Sequence, residues 1–159
     1  MQNAMTAKPK RTRVVPSTAF WDTSAIVPLC CFQPQSSSAR KTGRHYSRQI
    51  VWWITVVESV SAFQRLTREK YLTPEGRQQA VRRLQYLRQR WNEIQPTEEV
   101  RDTAERLLAV HSLRAADAFQ LAAALIWCSH QPRGRHFVGS DGDLCAAAEK
   151  EGFAVIRVS

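Results

Sequence analysis

Short runs of bulky apolar residues alternate along this 159-residue chain with segments of helical spacing, and few folds accept that order. TAFWD (18–22), IVWWI (50–54), RHFVGS (135–140) and FAVIRVS (153–159) read as strands, with a short extended piece near NEIQP (92–96). Bulky and β-branched side chains suit strands buried on both faces. Between them, TSAIVPLCCF (23–32) predicts a brief helix, and from Thr55 to Leu72 the residues Val56, Val60, Phe63 and Thr67 share one helical side. Thr73 and Pro74 mark the start of another helix, with the apolar stripe Val81, Leu84, Leu87 and Trp91. Thr97 is expected to cap a helix over 98–110 that buries Val100, Ala104, Leu107 and Leu108. DLCAAAEKE (143–151) is a short helix ended by Gly152. The stretch 33–49, rich in Ser, Pro, Gly and cations, reads as a solvated loop, although part of it could be helical. Strands alternating with helices predict one α/β domain, with a central, mostly parallel sheet of about four or five strands flanked by helices.

That domain spans residues 18–159, and residues 1–17 read as a flexible basic tail without the apolar core of a secretory signal. No apolar run reaches the roughly 18–20 residues that cross a bilayer, so no membrane partner is expected. None of the four cysteines (Cys30, Cys31, Cys128 and Cys145) forms a C-x-x-C pair. Buried thiols and a cytoplasmic location are the expectation.

The segment SLRAADAFQLAAALIWCSH (112–130) is made for burial, yet it carries Asp117. On a helix this carboxylate shares a face with Leu113, Leu121 and Ala124, none of which offers it a polar partner. A buried, unpaired carboxylate protonates or finds a cation. The plain alternative is that Asp117 sits in the first helical turn and complements the helix dipole.

Other acids fall at equivalent places. Asp22 closes the first strand, Glu58 lies one turn into the helix after the second, and Asp141 and Asp143 follow HFVGS. In open α/β sheets ligands bind beyond the carboxyl ends of the strands. Four separated segments could thus deliver carboxylates to one sheet edge. Each acid also has a local explanation. Glu58 could close a capping box with Thr55, Asp22 could cap the next helix, and Asp143 could cap a helix beginning at Leu144.

Clustered carboxylates repel one another, and a hard divalent cation such as Mg²⁺ or Mn²⁺ relieves that repulsion. Lys and Arg total 23 against 14 Asp and Glu, a formal charge of +9. Such a surface favours nucleic acid or an acidic protein, unless the arginines merely follow a GC-rich genome. Acids holding a cation within a basic surface suit phosphodiester cleavage.

DTSAIV, VVESVSAF, LRAADAFQLAAAL and VGSDGDLCAAAEKEGFAVI, in that order, resemble the PIN-domain nucleases, and among them the VapC-type toxins of toxin–antitoxin pairs. The resemblance runs from about Thr18 to the C-terminus. It implies a PIN-like three-layer fold and a metal-dependent endoribonuclease. Asp22, Glu58, Asp117 and Asp141 would then be catalytic, with Asp22, Asp117 and Asp141 holding Mg²⁺ or Mn²⁺. Ser24 and Arg114 would contact the RNA substrate. The resemblance also implies a cognate antitoxin that occludes the site, and a homodimer. Two positions depart from the pattern: Gly139 stands where the family often has Thr or Ser, and Gln120 replaces a common histidine. Two alternatives remain at this point. One is a non-catalytic basic module binding RNA or protein on the same scaffold. The other is a PIN nuclease acting on DNA or in RNA maturation.

Overall fold

The computed structural model describes residues 17–159. The basic tail expected over 1–17 therefore lies, save its last residue, outside the described residues. All the expected strands form: β1 (Thr18–Trp21), β2 (Arg48–Trp52), β3 (Asn92–Ile94), β4 (His136–Gly139) and β5 (Ala154–Arg157). They make one sheet in the order β3-β2-β1-β4-β5. Every pairing is parallel.

The connections are helical: α1 (Thr23–Cys30) and α2 (Ser36–His45) join β1 to β2, and α3 (Thr55–Arg68) and α4 (Pro74–Arg88) join β2 to β3. Then α5 (Glu98–Val110) and α6 (Ala115–Trp127) lead to β4, and α7 (Gly142–Glu151) leads to β5.

Successive strand residues face opposite sides of a sheet, and here the two sides build separate cores. Ala19, Trp21, Val51 and Val138 pack with Ile26 of α1, Phe63 of α3 and Leu84 of α4. Their neighbours Phe20, Ile50, Trp52 and Phe137 pack with Leu107 of α5, Leu121 of α6 and Leu144 of α7. The result is a three-layer α/β fold with helices on both faces, as the strand–helix alternation predicts. Helix α6 serves as the central slab of one layer, and Ala118 and Leu121 to Ala124 have no exposed surface.

Helix ends follow local chemistry. Thr73 accepts from Gly76 N at 3.0 Å and caps α4, and Thr97 accepts from Val100 N at 3.3 Å and caps α5. Gly152 closes α7 at φ +112°, a left-handed conformation that glycine adopts without a Cβ clash.

Several expectations are corrected. The core of 33–49 is a helix, not a loop. α2 lacks a side-chain cap and is tethered instead by Ser36 Oγ, which donates to Pro28 O at 2.7 Å and accepts from Gln33 N at 2.9 Å. Leu108 is 42 % exposed, because Val100, Thr103, Ala104 and Leu107 form the inner face of α5 and Leu108 lies beyond it. Helix α3 begins at Thr55 itself with Ile54 as the uncapped N-cap residue, so Thr55 and Glu58 form no capping box. Helix α7 begins at Gly142, and Asp141, not Asp143, caps it. Among the described residues no helix is long and apolar enough to cross a membrane.

Candidate active site

Strand β1 lies between β2 and β4. Connections leave it in opposite directions at this point, which opens a crevice beyond the carboxyl ends of the strands. Asp22 and Asp141 stand where β1 and β4 end. Glu58 and Asp117 lie in the first turns of α3 and α6, whose helix dipoles favour negative charge. All four line one cleft of about 320 Å³, together with Ser24, Gln35, Arg65 and Ser140. Chain segments remote in sequence thus bring the expected acids together.

Asp22 is the deepest of them, only 4 % exposed. It caps α1, and its Oδ2 accepts from Ser24 N at 3.1 Å and from the Ser24 hydroxyl. Ser24 Oγ in turn accepts from the backbone N–H groups of Ser140 at 2.8 Å and Asp141 at 3.2 Å. One hydroxyl therefore ties the turn after β1 to the turn after β4. Asp141 is exposed, and its Oδ1 accepts from Leu144 N at 2.8 Å.

Burial and mutual repulsion raise three of the four carboxyls. Burial pushes the Asp22 carboxyl up to about 7; its Ser24 bonds oppose this, and the charges of Glu58 and Asp117 add to it. Burial also raises Glu58, against hydrogen bonds from Thr23 and Gln120, with Asp117 adding repulsion. Asp117 is raised by burial first and by Asp141 next, while the Arg114 guanidinium pulls it down. Arg114 is the exposed N-cap residue of α6. It shares an adjoining depression with Asp117, Asp141 and Asp143.

Sequence reasoning missed the support beneath Glu58. Gln120 is fully buried, and its Nε2 lies 2.8 Å from Thr23 Oγ1, 3.2 Å from Thr55 Oγ1 and 3.4 Å from each Glu58 oxygen. Among the described residues its Oε1 is buried without a partner. The signal was present in the sequence, since an amide inside the apolar 112–130 segment has to find polar groups across a helix interface.

Gly139 is explained by crowding. A Cβ there would stand 3.0 Å from Cys145 Sγ and 3.3 Å from Phe137 Cε1. A side chain there would need Cys145 and Phe137 to give way by a few tenths of an ångström.

Among the described residues no three His, Cys, Asp or Glu side chains are grouped so as to hold a metal ion. The donors in the cleft are nonetheless all oxygens, and Mg²⁺ is commonly held by one or two carboxylates with water completing its shell. The donor set fits a hard divalent cation.

No protein-family model matches the chain, and no curated protein matches it. Among solved structures it is similar to the one titled "Crystal structure of PAE2754 from Pyrobaculum aerophilum". The match has a TM-score of 0.62 at 19% identity and covers 91% of this chain and 92% of that one. At such identity the likeness is one of fold.

Proposed function

We propose that this chain is a metal-dependent endoribonuclease of the PIN type, acting as the toxin of a toxin–antitoxin pair. The observation that carries the reading is the convergence of Asp22, Glu58, Asp117 and Asp141 on one cleft at the sheet's switch point. Local caps explain single acids. They do not explain why four segments present acids to the same space at a cost in mutual repulsion.

One or two of Asp22, Asp117 and Asp141 would hold Mg²⁺ or Mn²⁺ directly, with water completing its shell, and the bound ion would polarise a phosphoryl oxygen and lower the pKa of water. The chain's own residues do the rest. Ser24 fixes the Asp22 carboxylate and clamps the Ser140–Asp141 backbone beside it. Glu58, held by Gln120, orients the attacking water. Arg114 offers a guanidinium fork to a substrate phosphate at the mouth of the cleft, and the +9 charge of the chain draws the RNA backbone in. A cognate antitoxin would silence the enzyme by covering this cleft, and the working form would be a homodimer.

The test is RNA cleavage by purified Asp22→Asn and Asp117→Asn variants. Both are expected to lose cleavage with the fold retained. A chelator is expected to stop the wild type, and added Mg²⁺ or Mn²⁺ to restore it. Undiminished cleavage by both variants overturns the reading. Growth arrest on expression, relieved by a small neighbouring gene product, tests the toxin assignment.

A further inference from the structure

We propose that a second cleft, distinct from the acidic one, binds single-stranded nucleic acid. It lies where the C-terminal halves of α2 and α4 meet, beside the start of β2, and encloses about 360 Å³. Three arginines line it: Arg40 and Arg44 from α2, and Arg90 just past α4. No carboxylate is among its lining residues. Among the described residues none of the three guanidiniums forms a salt bridge, although four guanidinium–carboxylate pairs occur elsewhere.

Helix C-termini account for part of this charge, because cations there complement the helix dipole. They do not account for the aromatic group. Tyr86 is 53% exposed, and the Arg90 guanidinium stacks over its ring at 4.3 Å from the centroid. Guanidinium forks free of carboxylate partners beside a half-exposed aromatic ring form the combination that tracks a phosphodiester backbone and stacks a base. Leu29 and Leu87 supply an apolar floor beneath it. A site for a bare anion needs neither the ring nor this floor.

The location suits a substrate channel. Gln35, at the start of α2, lines the acidic cleft, and Arg40 and Arg44, further along α2, line the basic one. Nine residues of helix place Arg44 about 14 Å along α2 from Gln35 and half a turn around it, so a strand joining the two clefts would wind around α2. The link to cleavage rests on the nuclease reading; the binding itself does not.

The experiment measures fluorescence anisotropy of a labelled single-stranded RNA 12-mer with the full chain in chelator, across a salt series. Arg44→Gln/Arg90→Gln is expected to weaken binding about tenfold. The slope of log Kd against log salt is expected to shrink by about 1.4, at roughly 0.7 per lost phosphate contact on a single strand. Tyr86→Ala is expected to weaken binding with the slope unchanged. Arg101→Gln serves as the control, since it removes an exposed arginine of α5 on the other face of the sheet and leaves this cleft intact. If the arginine variant binds RNA with unchanged Kd and slope, the proposal fails. It fails equally if that variant loses polyglutamate binding but keeps RNA binding, which would mark the surface as a seat for an acidic protein.

Discussion

Ser24 Oγ accepts the backbone N–H of Ser140 at 2.8 Å across 116 positions of the chain. The same hydroxyl donates to Asp22. The turns that carry the acids after β1 and β4 are thus joined by one small side chain, beside the backbone bond from Asp22 N to Val138 O at 2.9 Å.

Ser24→Ala is therefore expected to act at both levels. Two backbone N–H groups lose their acceptor, which costs about 1–3 kcal/mol in urea denaturation. Loosening of the Asp22–Asp141 geometry should lower RNA cleavage by about a hundredfold. Ser24→Thr keeps the hydroxyl and should restore most of both. Equal loss in the Ala and Thr variants would mean that volume, not hydrogen bonding, matters here.

Asp22 sets a pH dependence in the metal-free protein. Its carboxyl titrates at about 7 in the fold and near 3.8 when unfolded. Between those values the native state keeps a proton that the unfolded chain has lost, so stability falls as pH rises. Asp22→Asn removes that slope, and at pH 8 in chelator it should be more stable than wild type by up to about 4 kcal/mol. Mg²⁺ should restore wild-type stability at pH 8, because ligation favours the ionised carboxylate. A wild type whose thermal midpoint in chelator is flat from pH 4 to 8 would contradict the expected burial effect.

Gln120→Met keeps the length of the side chain and deletes its donors. Thr23 and Thr55 lose a buried partner, at about 1–3 kcal/mol, partly offset because the orphaned Oε1 is also removed. Cleavage should fall further than stability, since Glu58 loses its support. Gln120→Glu sets a second carboxylate against Glu58 and should destabilise increasingly as pH rises. Denaturation curves at two pH values separate the variants.

Gly139→Ala places a methyl group against Cys145 Sγ and Phe137. Overpacking of this kind costs about 1–3 kcal/mol. Cys145→Ala withdraws the nearer obstacle, so the double variant should lose less than the sum of the two single variants. Strict additivity would show that the strain lies elsewhere.

The central strands were legible because burial on both faces leaves apolar residues at successive positions, as in Ala19, Phe20 and Trp21 or Ile50, Val51 and Trp52. Three of the helix starts carried their signals in Thr73, Thr97 and the acid before α7. The choice of Asp143 over Asp141 as that cap failed by only two positions, because SDGD offers two acids within reach of the same turn. Helix α2 was hidden for a different reason. SSSARKTGRH buries only Ser36 and Ala39, so no apolar stripe announces it. Its support comes from Pro28 and Cys31 on the preceding segment, through bonds to Ser36.

The acidic cleft was legible as a set of acids after strand ends, and the alternation of strands and helices predicted that those ends would lie together. Its polar support was not. The T-x-x-E spacing offers Thr55 as one possible cap for its own helix, whereas in the fold its hydroxyl accepts from Gln120 of α6. Spacing along a sequence reports local partners, and this pairing spans 65 positions.

Placing β1 between β2 and β4, with Phe20 opposite Phe137 and Trp21 opposite Val138, orders events during synthesis on the ribosome. The neighbour that completes the far side of β1 emerges only after α1 to α6 have been made. Contacts so distant in sequence form late. A nascent polypeptide halted before residue 141 cannot assemble the four-acid constellation.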